Sequence, residues 1–140
     1  MDFQWSAVVD ALPALFRGAQ LTVFITVAGL VGGVIIGTVA GLMRAYGNTI
    51  VNGIAYFYIE LIRGTPIVVQ VMFIYFALPT LADIRIDPLS AAIIAITVNA
   101  GAYIAEIVRG AFISVHKGLK EAGLSLGLPM WKVLVYVIGP

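Results

Sequence analysis

The chain has 140 residues, 61% of them hydrophobic and 11% charged, with eight basic and seven acidic side chains for a formal net charge of +1, and its mean hydropathy is +1.06. Soluble domains carry about 25% charged residues, so this composition belongs in a bilayer, and the near-neutral, dispersed charge excludes the broad cationic surface that nucleic acid requires. The absence of cysteine excludes disulfides, thiol nucleophiles and cysteine-ligated metal.

The charges leave uncharged runs at residues 18–43, 45–59, 64–82 and 88–105, and a helix needs roughly 18 to 20 such residues to cross about 30 Å of hydrocarbon. At the start, Met1-Asp2-Phe3-Gln4-Trp5 lacks a basic segment. The first long apolar run also begins too late and extends too far for a cleaved signal peptide, so the first span is expected to be retained. Trp5, Val8, Leu12 and Leu15 recur at three- and four-residue intervals, which predicts a short amphipathic helix lying on the membrane surface and strained or kinked at Pro13. A first crossing follows over residues 21–43 and ends at Arg44, with Gly29, Gly33, Gly37 and Gly41 at every fourth position. Such a stripe admits close approach of another helix, from within the chain or from a partner subunit.

Glu60 and Arg63 interrupt the next apolar stretch, and Gly64-Thr65-Pro66 opens another. This pattern predicts a helix over residues 48–62, either on the cytosolic side or as the lower part of a bent span, with a break where Thr65 caps and Pro66 starts the next turn. A second crossing is expected over residues 66–81 and a third over residues 89–108, after the polar turn from Asp83 to Pro88. A fourth apolar run begins at Val133 and reaches only Pro140, too short to cross. Of the eight basic residues, Arg17 and Arg85 fall on one side of these spans and Arg44, Arg63, Arg109, Lys117, Lys120 and Lys132 on the other. The positive-inside tendency then puts the amino terminus outside and the polar loop at residues 114–130 in the cytosol.

Within the third crossing, Asn99, Tyr103 and Glu106 share one helical face. Polar groups at that depth cost a few kcal/mol unless paired, about 3 kcal/mol for a charge, so the stripe faces the bundle interior or a water-filled route. Two readings stand side by side. Asn99 and Tyr103, with Gln70 in the second crossing, line a solute path, or they hydrogen-bond between helices. Glu106 pairs with Arg109, three residues on, or with Arg63. No catalytic constellation or phosphate-binding Gly-x-x-x-x-Gly-Lys pattern is present in the sequence, and the single His116 reads as a solvated loop residue without metal-ligand spacing.

The polar loop carries Glu121-Ala122-Gly123, then Gly127, then Val137 and Pro140. This spacing resembles the Glu-Ala-Ala loop of ABC importer permeases, with Gly123 for the second Ala, Val137 for Ile, Gly139 for Leu and Leu119 where the family usually has Gln. Arg63-Gly64-Thr65-Pro66, Gln70 and the stretch from Asn99 to Gly110 extend the likeness to the polar amino-acid branch, which serves histidine, glutamine, arginine and opines. The resemblance implies an all-α polytopic helix bundle with three complete crossings and the start of a fourth. It also implies a single permease domain over residues 1–140, carboxy-terminally truncated and set in a bacterial cytoplasmic membrane.

By the same resemblance, the loop at residues 114–130 couples to a cytosolic ATPase through Gly118, Leu119, Glu121, Ala122, Gly123 and Gly127. Residues 119–126 are expected to form a short helix that exposes Leu119, Ala122, Gly123 and Leu126. The implied partners are ATPase subunits that hold ATP and Mg, a second permease subunit (identical or not), an extracytoplasmic solute-binding protein and a polar amino acid passing Asn99, Tyr103 and Gln70. No cofactor is expected in this chain. Two other classes are weighed against this reading. A passive or purely structural bundle leaves the loop spacing unexplained, and a membrane enzyme would have to use Glu106 and His116 from different elements.

Overall fold

The computed structural model describes residues 5–139, with side chains described from residue 9 onward. Six helical elements follow in order: α1 (Trp5–Tyr46), α2 (Thr49–Arg63), α3 (Ile67–Ala82), α4 (Pro88–Ser114), α5 (Lys117–Ser125) and α6 (Met130–Val133, continuing as Leu134–Ile138). The described residues contain no strand. Val9–Tyr46 and Pro88–Ser114 are each long and apolar enough to cross a membrane, and α2 with α3 makes a third span if the bent pair is counted as one.

The expected separate surface helix is not found. The opening segment is the first part of α1, and Pro13 lies inside that continuous helix. A proline deletes one hydrogen bond, but ending a helix leaves several backbone groups without partners on either side of the break. In apolar surroundings the continuous helix is therefore the lesser cost. The side chains of Trp5 and Val8, and the whole of Pro140, lie outside the described residues.

Turn chemistry sets the later boundaries. Asn48 caps α2 by accepting from Val51 N–H at 2.9 Å. The α1–α2 corner is clasped by Asn52, which donates to Arg44 C=O at 3.2 Å and accepts from the Arg44 guanidinium. Asp83 stops α3 in the left-handed conformation, φ 51°. Asp87 caps α4 through Ser90 N–H at 3.0 Å, and the Ser90 hydroxyl donates to it at 2.7 Å. The Ser90 hydroxyl and backbone N–H hold the Asp87 carboxyl below its usual range. α4 runs to Ser114, six residues past the expected end of the third crossing at Val108.

The core is the α1–α4 interface. Gly29, Gly33, Gly37 and Gly41 all press on α4. A Cβ on Gly33 would meet Ala100 at 2.8 Å, one on Gly37 would meet Ile104 at 2.6 Å and the Gly101 carbonyl at 2.7 Å, and one on Gly41 would meet the Ala105 carbonyl at 2.7 Å. The stripe is thus consumed within the chain. The amphipathic α2 lays Ala55 and Ile59 onto this pair, where Ile59 is packed with Ala40 and Ala105. Tyr58 donates to Val98 C=O at 2.7 Å, in the space left by the missing side chain of Gly101. A second cluster joins Ile74 of α3 to Ala91 and Ala95 of α4.

Candidate functional site

Two polar groupings stand out from this apolar frame. The first lies at the break between α2 and α3, where the chain turns by 104°. Gly64 ends α2 with its N–H on Glu60 C=O at 2.8 Å. Thr65 was expected to cap the following helix, but its hydroxyl instead turns back to Leu61 C=O at 3.0 Å and Ile62 C=O at 3.3 Å. Pro66, expected in the first turn, stands one place earlier as an extended residue, φ −62° and ψ 139°, ahead of Ile67. Its ring removes the donor and the extended conformation commits the chain to the new direction. α3 contains a π-helical turn, Phe73–Ala77, in which Leu78 N–H reaches Phe73 C=O. The wider turn immediately precedes Pro79, whose ring would strike the carbonyl four residues before it in a regular helix.

Gln70 closes the break. Its amide nitrogen donates to Ile62 C=O at 2.7 Å, Thr65 C=O at 3.0 Å and the Thr65 hydroxyl at 3.0 Å, and its carbonyl oxygen accepts from Asn99 Nδ2 of α4 at 3.2 Å. It is the buried polar side chain of the region. The residues expected to line a solute path are therefore placed differently from one another. Gln70 and Asn99 are joined and Gln70 is buried, whereas Tyr103 is half exposed, with the Arg63 guanidinium 5.3 Å above its ring. Beside them, Glu106 is held in a fork by Arg109, with Nη2 at 2.8 Å and Nε at 3.1 Å from both carboxylate oxygens, and Arg63 stands 3.9 Å away. The predicted trio of Arg63, Glu106 and Arg109 comes together, two cations on one carboxylate. The fork fixes geometry as well as charge, although pairs this accessible contribute at most about 1 kcal/mol.

The second grouping is α5. His116 caps it, accepting Gly118 N–H on Nδ1 at 3.2 Å. A side chain on Gly118 would stand 3.1 Å from that ring nitrogen. At the other end Gly127 adopts φ 75°. Its N–H bonds Leu124 C=O at 2.9 Å and Leu128 N–H bonds Gly123 C=O at 3.3 Å, the pair of bonds that terminates a helix through a left-handed glycine. Leu119, Glu121, Ala122 and Leu126 are exposed, Leu126 at 80%.

Gly123 was expected on the exposed face and is not there. It is buried against α6, where a Cβ would meet Val133 at 3.0 Å and Val137 at 3.5 Å. Its smallness serves an internal seat, so Leu119, Ala122 and Leu126 are what that side leaves accessible, with Glu121 and Leu124 exposed on other sides of the helix. Two further contacts had no signal in helical periodicity. Lys120 Nζ lies 5.5 Å from the centre of the Tyr46 ring, and that ring meets Phe112 edge-on at 5.7 Å. They join the ends of α1 and α4 to α5, and nothing local to any of the three residues announces it.

Residues 33–140 match the family described as binding-protein-dependent transport system inner membrane component. Over its whole length the chain is 57% identical to the glutamine transport system permease protein GlnP of Escherichia coli (strain K12), of which it covers 64%. It is 36% identical to the arginine transport system permease protein ArtQ of Bacillus subtilis (strain 168), again covering 64% of that protein. It thus spans just under two thirds of the length of these curated relatives. Among solved structures, an amino acid ABC transporter crystallised with histidines superposes with a TM-score of 0.85 at 32% identity, over 99% of this chain and 64% of that one. An inward-facing methionine transporter, MetNI, shares the fold with a TM-score of 0.78 at 23% identity, over 92% of this chain and 62% of that one.

Proposed function

The chain belongs to the family of binding-protein-dependent transport system inner membrane components, and from that premise we propose that it forms part of the membrane pathway of an ATP-driven importer of polar amino acids. The observation that carries this reading is α5. It is a short polar helix between apolar spans, held by a histidine cap and a glycine stop, and it offers Leu119, Glu121, Ala122 and Leu126 outward. A rigid helix with small and apolar exposed residues suits the cleft of a second protein. In this reading the loop at residues 114–130 is cytosolic, the amino terminus is outside, and the ATPase subunits that dock on α5 bind the ATP and Mg. Arg44, Arg63, Arg109 and Lys120 gather at one end of the α1–α4 pair through the contacts described above, which supports that orientation by the positive-inside tendency.

The membrane is the bacterial cytoplasmic membrane, and the pathway is completed by a second permease subunit, identical or not. An extracytoplasmic binding protein delivers the solute. Polar amino acids are the substrate class because relatives across a wide range of identity are named for glutamine and arginine. Tyr103, with Asn99 behind it, is the part of the predicted solute path that stands open. This chain makes and breaks no bond in the solute. Its contribution is to convert movement of α5 into a change in the tilt of the spans.

The test is association. Reversing a charge at an interface sets like against like, at a cost of several kcal/mol, so Glu121→Lys in a full-length version lowers co-purification of the ATPase by about tenfold or more and lowers uptake with it. Wild-type association and uptake in that variant would sink the docking role and favour a passive bundle.

A further inference from the structure

Besides its covalent connections, α5 is held to the rest of the fold by two side-chain contacts of unequal strength. Gly123 sits on Val133 and Val137 with no clearance, since even a methyl group would press on Val133 at 3.0 and 3.2 Å. One turn earlier, Lys120 lies over the ring of Tyr46, the last residue of α1, at 5.5 Å. Tyr46 in turn stands edge-on to Phe112 in the last turn of α4, with centroids 5.7 Å apart and planes at 77°. The covalent link from α4 into α5 is short and extended at Val115, φ −66° and ψ 131°, and so it transmits tension but little bending.

We infer that Lys120, Tyr46 and Phe112 form a latch that holds α5 to the ends of α1 and α4 and passes its displacement to that helix pair, while the Gly123 seat makes α5 and α6 a single body. The seat is steric, with the Gly123 backbone packed on the methyl groups of Val133 and Val137. The stack is an attraction between a cation and a ring face at a partly exposed site, which shifts a local equilibrium only a few-fold. It is therefore the member that opens. When it is closed, a push on α5 reaches α1 and α4. When it is open, α5 moves with α6 alone. The mechanical part stands on the geometry, and the part concerning transport rests on the reading of α5 as the helix on which an ATPase docks.

The experiment uses the full-length subunit in lipid nanodiscs and follows backbone hydrogen exchange across residues 119–125. Lys120→Met, which keeps an unbranched chain and loses the cation, and Tyr46→Leu, which loses the ring, each speed exchange there by about two- to fivefold. The double variant is no faster than Tyr46→Leu alone, because that substitution already removes the Lys120 contact together with the Phe112 one. Lys120→Arg, which restores a cation over the ring, and Lys117→Met, which removes an equal charge away from it, exchange like wild type. Unchanged exchange in both single variants, or the same acceleration from Lys117→Met, would overturn the latch.

In the assembled transporter the two latch variants still bind the ATPase but move about two- to fivefold less solute per ATP hydrolysed. Faster exchange with an unchanged ratio would overturn the transmission of motion. If the wild type bound no ATPase, the docking reading would fail and the transmission claim with it, and the exchange data would still decide whether the latch exists.

Discussion

Gln70 is a polar side chain in an apolar helix, only 8% exposed, and it faces the break between α2 and α3. The break after Arg63 frees the Ile62 and Thr65 carbonyls from helical partners, and the Gln70 amide takes up both while accepting from Asn99. Gln70→Leu leaves the Thr65 carbonyl and Asn99 Nδ2 without this partner, while the Ile62 carbonyl keeps the Thr65 hydroxyl, and a buried polar group without a partner costs about 1–3 kcal/mol. The expected loss in unfolding free energy is about 2–4 kcal/mol, measured by denaturant titration in detergent. Asn99→Leu leaves one group, the Gln70 carbonyl oxygen, without its donor, at about 1–2 kcal/mol. Equal losses from the two variants would contradict this division of labour. A polar residue in an apolar run marked Gln70 as special in the sequence. Its carbonyl partners were not visible there, because they depend on a 104° turn that no pattern of residue types specifies.

At the level of elements, stops and caps are set by local chemistry, although the cap expected at Thr65 is not made. Asn48 and Gly127 each sit where local chemistry demands them, the first accepting from Val51 N–H and the second at φ 75°. A side chain branched at Cβ pays roughly 1–2 kcal/mol to enter that left-handed conformation, whereas asparagine enters it more readily. Gly127→Val therefore frays the end of α5 and lowers its helicity, measured by exchange of the Leu126 and Leu128 amides, and Gly127→Asn largely retains it. Similar exchange in both variants would place the stop elsewhere. The extent of α1 was not legible, because the amphipathic period around Pro13 reads as a separate surface helix, yet continuing the helix satisfies more backbone groups than ending it. The inward face of Gly123 escaped detection for a related reason. A small residue reads alike whether it meets a partner protein or the chain's own α6.

Across the whole molecule, two long helices lie together along a glycine stripe, and the remaining elements are hung from that pair. The stripe makes glycine substitutions change sign with position. At Gly37 a methyl group would fall 2.7 Å from the Gly101 carbonyl and 2.6 Å from Ile104 Cβ, so Gly37→Ala forces the helices apart and costs about 1–3 kcal/mol. At Gly53, inside α2, a Cβ meets nothing within 4 Å, and Gly53→Ala stabilises the helix by about 0.5–1 kcal/mol. Thermal unfolding of the two variants in the same detergent checks both signs, and a common sign would refute the packing described here. That the chain is helical, that it belongs in a membrane and that it is related to importer permeases followed from the sequence alone, because hydropathy, helical period and loop spacing are properties of residues close together in the chain. The tertiary structure decided that the glycine stripe is filled from within, that the break read at Gly64-Thr65-Pro66 turns the chain by 104°, that Gln70 locks the bend and that Lys120 meets Tyr46. Each of these depends on which distant backbones approach one another, and that is determined by packing over the whole molecule rather than by any local preference.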